Sequence, residues 1–254
     1  MLRLKLIACE VLARQVYYCA ALSPHVVDIE LADKGLHTEP DRLRASLRDR
    51  LEAVPEGRYD AILLGYGLCS NSIVGLRSAH TPLVAPRAHD CITLYLGSAG
   101  RYGAEFRANP GTYWYTPDYM ERGGSASDTV ALGVSADDAD MARVYEQYVA
   151  KYGRDNADYL MEVMGAWKAH YNRAAYITTA EMRLPDYRGQ VRQVAERRGW
   201  NFQELAGSLI ILRDLLEGRW DEATFLVLPP GCAIEPSHDA QVIRCGACDA
   251  PPLA

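Results

Sequence analysis

No stretch of the sequence approaches the roughly 18 consecutive apolar residues of a membrane span, so no membrane-crossing helix is expected. Excess basic charge is also missing. Lys and Arg total 27 against 33 Asp and Glu, a formal net charge of −6. That balance argues against a general nucleic-acid binder, because neutralising phosphates takes a basic face. There is no short-period repeat, no low-complexity tract, no Gly-Lys-Ser/Thr phosphate loop and no Gly-x-Ser-x-Gly nucleophile elbow. Gly65-Tyr66-Gly67 falls short of a dinucleotide fingerprint. The N-terminus alternates apolar and charged residues and lacks the apolar run of a signal peptide, so a mature cytoplasmic protein is expected. What is present is a chain of 254 residues, 49% hydrophobic and 24% charged, with seven cysteines. It should be globular, as one large domain or two small lobes. In a reducing compartment its thiols stay reduced, and metal or catalytic roles outrank disulfides.

Short apolar runs alternate with helical patterns. In the first half the runs are 4–8, 26–31, 61–65 and 82–85. Between the second and third, Leu43, Leu47, Leu51 and Val54 mark one face of a helix, with Thr38 or Asp41 near its start. Ser70-Asn71 can cap a short helix through Leu76. Segment 98–136 is rich in Gly and Pro around Tyr113-Trp114-Tyr115 and reads as loops or a hairpin, a flap over the site. Residues 137–171 read as a long helix. Then come a strand at 174–179, a helix at 185–199 ending in Gly, a strand at 200–205, a helix at 207–218 and a strand at 224–228. The expected class is α/β, two Rossmann-like lobes with parallel sheets flanked by helices, against a single larger sheet as alternative. The expected division is a first lobe over 1–136, a long helix and second lobe over 137–231, and a Cys-containing tail over 232–254.

Cys9 follows the first run, Cys69 the third and Cys91 the fourth. In a sheet of order 2-1-3-4 those strands are neighbours, and their carboxyl ends share the edge where such sheets bind ligands. With strands about 4.8 Å apart, three thiols can meet there. His89 is a fourth candidate ligand. Zn²⁺ takes such Cys/His sets and with three protein ligands keeps an open position. An iron–sulfur cluster is the alternative, since three cysteines leave one iron for substrate. Gly65 and Gly67 allow a tight turn, and a helix starting near Ser70 would lower the Cys69 pKa. The competing role for any one cysteine is packing, since Cys is among the most buried residue types. Cys19 is read that way.

The segments Ala-Cys-Glu-Val-Leu at 8–12, Gly-Tyr-Gly-Leu-Cys-Ser-Asn at 65–71, Arg-Ala-His-Asp-Cys-Ile-Thr-Leu-Tyr-Leu-Gly-Ser at 87–98 and Pro-Gly-Thr-Tyr-Trp-Tyr-Thr-Pro at 110–117 resemble a prokaryotic uncharacterised family, domain of unknown function 1638. The resemblance covers roughly residues 3–230. It implies homology rather than a mechanism, and through the family's frequent company with corrinoid methyltransferases it implies a corrinoid protein as partner. His89-Asp90-Cys91 is also similar to the His-x-Cys of zinc enzymes that methylate thiols, where zinc holds the substrate as a thiolate.

Around this proposed centre, Glu10 and His89 are candidate acid/base residues, Glu10 with capping of the first helix as its equal alternative. Arg87, Tyr113, Trp114 and Tyr115 are candidate substrate contacts, with Arg101 also flanking. The aromatics would cage a cation or simply cover the sheet edge. The tail holds Cys232, His238, Cys245 and Cys248, with Cys245-Gly-Ala-Cys248 a recognised metal or redox pattern. The expected function is a metal-dependent enzyme of one-carbon transfer acting on a small molecule. An iron–sulfur redox or dehydratase protein, a metal-delivery module and a plain Cys69 nucleophile are the alternatives.

Overall fold

The computed structural model describes residues 1–34, 36, 40–122, 146, 149, 153–154 and 171–248. The chain divides into two compact units, Met1–Ala104 with Thr179–Arg183 and Ala206–Ala254, and Glu105–Thr178 with Leu184–Leu205.

The first unit is built on β1 (Arg3–Cys9), β2 (Val26–Ala32), β3 (Ala61–Gly65), β4 (Leu83–Pro86) and β8 (Phe225–Leu228), in the order β2-β1-β3-β4-β8. The first four are parallel and β8 is antiparallel to β4. Every residue of β3 and β4 is buried, which is why these strands read as continuous apolar runs. The edge strand β2 carries Asp28 and Glu30, and they are paired. Lys5 Nζ stands 2.7 Å from Glu30, and Tyr59 Oη donates to Asp28 at 2.7 Å. Helix α2 (Pro40–Glu52) buries Leu43, Leu47 and Leu51, the expected face. Helix α1 (Ala13–Leu22) packs on α7 (Ile210–Leu216), where Ser23 Oγ donates to the Leu216 carbonyl at 2.6 Å. Two further helices, α3 (Cys91–Leu96) and α4 (Ala99–Ala108), follow β4.

Residues 232–248, within the expected Cys-containing tail, form a hairpin of β9 (Cys232–Pro236) and β10 (Ile243–Cys248). Its backbone is tied to the first unit. Gly75 N–H donates to the Ile234 carbonyl at 2.8 Å, and Ile234 N–H to the Leu76 carbonyl at 3.0 Å.

The second unit holds the three-stranded sheet β5 (Thr112–Tyr115), β6 (Arg173–Thr178) and β7 (Asn201–Ala206), order β5-β6-β7, with β5 parallel to β6. Helices α5 (Pro117–Arg122) and α6 (Arg188–Arg198) accompany it, and α6 ends at Gly199 with φ 67°. Tyr113, Tyr115, Tyr119, Ala174, Tyr176, Val191 and Ala195 form its core. Buried Arg173 is held by Glu105 at 2.9 Å, Gln203 at 2.6 Å and Thr112 Oγ1 at 2.8 Å.

The α/β class with parallel sheets flanked by helices is therefore present, but the units are not the consecutive stretches 1–136 and 137–231. β8 and α7 belong to the first unit, and the segment from Glu105 to Arg122 belongs to the second. An apolar run announces a strand but not the sheet that receives it. The described part of segment 98–136, up to Arg122, forms two helices and a strand rather than loops or a hairpin. The helix expected over 137–171 lies almost wholly outside the described residues.

Candidate functional site

β1, β3 and β4 are adjacent, and their carboxyl ends deliver Cys9, Cys69 and Cys91 to one edge. β1 ends at Cys9 and runs into a single 3₁₀ turn, Glu10–Leu12. β3 passes through Tyr66 and Gly67 to Cys69, and β4 passes through Arg87–Asp90 into α3, whose first residue is Cys91. These exits are bonded to one another. Leu68 N–H donates to the Ala88 carbonyl at 2.8 Å and Cys69 N–H to the His89 carbonyl at 2.9 Å. Tyr95 Oη donates to the Val11 carbonyl.

Gly67 is required by this close approach. A Cβ there would stand 2.6 Å from the Asp90 nitrogen and 2.7 Å from its Cα. The left-handed backbone falls instead on non-glycine residues, Cys69, Ser70 and Asn71, with φ of 45°, 56° and 65°. Three such residues in a row preclude the helix expected from Ser70. Ser72 N–H closes the turn onto the Leu68 and Cys69 carbonyls at 3.0 and 3.1 Å. Left-handed β-carbon-bearing residues store strain, and strain of this kind collects at functional sites.

Cys9 and Cys91 are 1% and 2% exposed. Burial pushes the Cys9 thiol up to about 12 and raises Cys69 and Cys91 as well. The predicted lowering of Cys69 by a helix is thus reversed. Among the lesser causes the sulfurs feel one another: Cys9 raises Cys69, and Cys69 and Cys9 raise Cys91. Backbone N–H groups oppose this, Val11 at Cys9, and Gly67 and Cys91 at Cys69. The three thiols share one buried electrostatic neighbourhood.

The other expected site residues have other roles. His89 is exposed, its carbonyl is taken by Cys69, and its ring lies 6.2 Å from that of Tyr102. Glu10 accepts from Lys34 N–H at 3.0 Å, joining the ends of β1 and β2. The Arg87 guanidinium donates to the carbonyls of Glu222 at 2.9 Å and of Ile243, so it fastens the hairpin instead of facing a substrate. Tyr113 and Tyr115 are core residues of the second unit, their rings stacked at 4.7 Å, and Arg173 lies over Trp114 at 5.6 Å. Tyr113 and Tyr115 therefore pack inside the second unit, buried among Tyr119, Ala174 and Tyr176.

Three residues join the sheet-edge group unannounced. Tyr66 is raised by burial and then by Cys9 and Cys69. Asp90 caps α3, its Oδ1 accepting from Ile92 N–H at 3.0 Å and Thr93 N–H at 3.3 Å, while Oδ2 accepts from Tyr102 Oη at 2.8 Å. Burial raises the Asp90 carboxyl despite these bonds. An Asp directly before the apolar run from Cys91 is a capping signal that was there to be read. Nothing in sequence singles out Tyr66 or Tyr102.

A second sulfur group occupies the hairpin. Cys232 and Cys248 are disulfide-bonded, which corrects the expectation that all seven cysteines are reduced. Cys248 faces Cys232 in the strand register, so the fold itself brings the pair together. Cys245 Sγ lies 3.9 Å from Cys248 Sγ. Among the described residues, Cys232, Cys245 and Cys248 are the group whose ligand atoms all lie within 4.8 Å of one another and could hold a metal ion. The sheet-edge sulfurs are not drawn together to that spacing. No helix among the described residues is long and apolar enough to cross a membrane.

A family model described as "Protein of unknown function (DUF1638)" matches residues 31–216, a stretch that contains Cys69, His89 and Cys91 but neither Cys9 nor the hairpin. No curated protein and no solved structure matches the chain.

Proposed function

The chain belongs to the family described as Protein of unknown function (DUF1638), and for it we propose a metal-dependent function on a small molecule, centred on Cys9, Cys69 and Cys91. The observation that carries this reading is buried Cys9 and Cys91 and half-buried Cys69 at neighbouring strand ends, with backbone N–H groups bonded to the Cys9 and Cys69 sulfurs. Thiols used only as packing have no need of such donors, whereas metal-bound sulfur is tuned by hydrogen bonds of this kind. The edge itself is where parallel sheets of this order bind ligands.

Sulfur spacing separates two forms of the centre. A single tetrahedral Zn²⁺ with Zn–S bonds of about 2.3 Å holds its sulfurs about 3.8 Å apart. The edge sulfurs are not gathered to within 4.8 Å. An iron–sulfur cluster places several irons between its cysteines and so accepts a wider spacing, and three cysteines leave one iron open. The cluster is therefore the form this geometry favours, in a redox or dehydratase role. The second reading is zinc with one-carbon transfer and a corrinoid protein as methyl partner, zinc holding a thiol substrate as its thiolate. What supports it is the strained Cys69–Asn71 turn, since backbone strain of this kind collects at functional sites.

The test is purification without oxygen, followed by iron, sulfide and zinc analysis with a visible spectrum. A brown protein with iron and acid-labile sulfide, both lost in Cys69→Ser, is expected. Colourless protein with zinc lost in the same variant selects the second form. Metal content that is negligible, or that Cys69→Ser leaves unchanged, overturns both.

A further inference from the structure

We propose that the β9–β10 hairpin is a second metal site, independent of the sheet-edge centre, which takes one thiolate-seeking divalent ion of the Zn²⁺ type on Cys232, Cys245 and Cys248 in the reduced protein. A disulfide between Cys232 and Cys248 explains two of these sulfurs and leaves the third without a purpose. Cys245 is an exposed residue whose thiol nevertheless lies 3.9 Å from the Cys248 sulfur. That separation matches the ~3.8 Å between sulfurs sharing one tetrahedral zinc at bond lengths of about 2.3 Å. All three ligand atoms are already within 4.8 Å of one another.

The local backbone is built for this gathering. The strand register shifts between Cys245, opposite Ile234, and Cys248, opposite Cys232. Gly246 lies in this shifted stretch, where a Cβ would stand 2.6 Å from a Glu235 carboxylate oxygen. The carboxylate is itself paired with Arg244 at 3.1 Å. The hairpin does not float. Ile234 is bonded in both directions to Gly75 and Leu76, and Arg87 holds the Ile243 carbonyl. Anchored strands hold ligands at fixed spacing, so little ordering is left for the ion to impose.

His238 is not the fourth ligand. It lies in the turn beyond Pro236, which is itself four residues along the strand from Cys232, about 13 Å at 3.3 Å per residue. Cys232 is 3% exposed, while Cys245 and Cys248 face solvent, so the fourth position opens outward to water or an incoming thiol. Three protein ligands and one open position make an exchangeable site rather than a closed structural one.

Metal and disulfide exclude each other, because both claim the sulfurs of Cys232 and Cys248. Oxidation by a low-molecular-weight disulfide proceeds by thiolate attack. One cysteine thiolate attacks the small disulfide and releases one small thiolate. The second cysteine thiolate then attacks the mixed disulfide, forming the Cys232–Cys248 bond and releasing the other. Two electrons pass from the protein sulfurs to the small molecule, and the ion is freed.

The experiment uses the full chain in the Cys69→Ser background, so that the sheet-edge centre does not contribute. Protein reduced by a phosphine under argon and freed of reductant is titrated with Co²⁺, with Zn²⁺ as competitor. One equivalent is expected to bind with sulfur-to-cobalt charge-transfer absorption and to be displaced by Zn²⁺. Treatment with glutathione disulfide should abolish uptake. Cys245→Ser, at an exposed position that the fold does not need, should weaken binding at least about tenfold. Equal binding by the Cys245→Ser protein overturns the proposal. So does a Cys232–Cys248 disulfide that resists the phosphine in the folded chain, or reduced protein that takes up no cobalt. Any of these leaves the Cys69-dependent metal of the proposed function untouched.

Discussion

Gly67 is fixed by a neighbour and not by its own backbone. The Asp90 main chain sits where a side chain would begin, at 2.6 Å, and backbone cannot rotate away as a side-chain tip can. Gly67→Ala is therefore expected to cost about 1–3 kcal/mol, the range for overpacking a tight interior. A lowered urea midpoint with an unchanged slope would show it, and a midpoint equal to that of the unsubstituted chain would contradict the close approach. At this scale the cysteines were legible, because each of Cys9, Cys69 and Cys91 ends an apolar run or follows its exit loop. The partners of Arg87 were not. Its carbonyls belong to Glu222 and Ile243, more than a hundred residues away in sequence, and a guanidinium beside a site reads the same whether it meets a substrate or the chain itself.

Helix α3 spans six residues and begins with Cys91, so the Cys91 sulfur is placed only as well as the helix start is fixed. Asp90 fixes it through two backbone N–H groups, and its other oxygen is held by Tyr102. Asp90→Ala should destabilise the chain by about 1 kcal/mol, within the 0.5–2 kcal/mol typical of a lost cap. Asp90→Asn, which keeps the accepting oxygen, should recover most of it. The comparison is made by urea unfolding at one pH, and equal loss in both variants would assign the effect to charge and not to capping. The elements that escaped sequence reading share a cause. β5 is four residues long, within a stretch rich in Gly and Pro that signals loops. β9 and β10 lack the two-residue turn that announces a hairpin, with residues 237–242 between them. Short strands gain stability from the sheet they join, and their own residues carry little of the signal.

The whole molecule is interleaved. The chain leaves the first unit after Ala104, returns over Thr179–Arg183, departs again and re-enters at Ala206. A fragment of residues 1–136 would lack β8 against β4 and α7 against α1. The α7 side chains Ile211, Leu212, Leu215 and Leu216 are all buried. At about 1.5–3 kcal/mol for each fully buried apolar side chain, their loss removes on the order of 6–12 kcal/mol, as an upper estimate. That equals the entire net stability of an ordinary domain, about 5–15 kcal/mol. The fragment is expected to show no cooperative unfolding transition by circular dichroism during a urea titration. A sharp transition would mean that the first four strands fold without the returning segment.

The sequence by itself determined the α/β class, the four parallel strands of the first sheet and the arrival of three cysteines at one edge. All of these follow from hydrophobic period and from where each apolar run stops, properties of contiguous residues. The tertiary structure alone decided that β8 returns to the first sheet, that Tyr113 and Tyr115 are core, that Arg87 secures the hairpin, and that Cys232, Cys245 and Cys248 converge. Each of these is a pairing between distant segments, and pairing is selected by the shape and burial of the surface already formed, which no local pattern of residues contains.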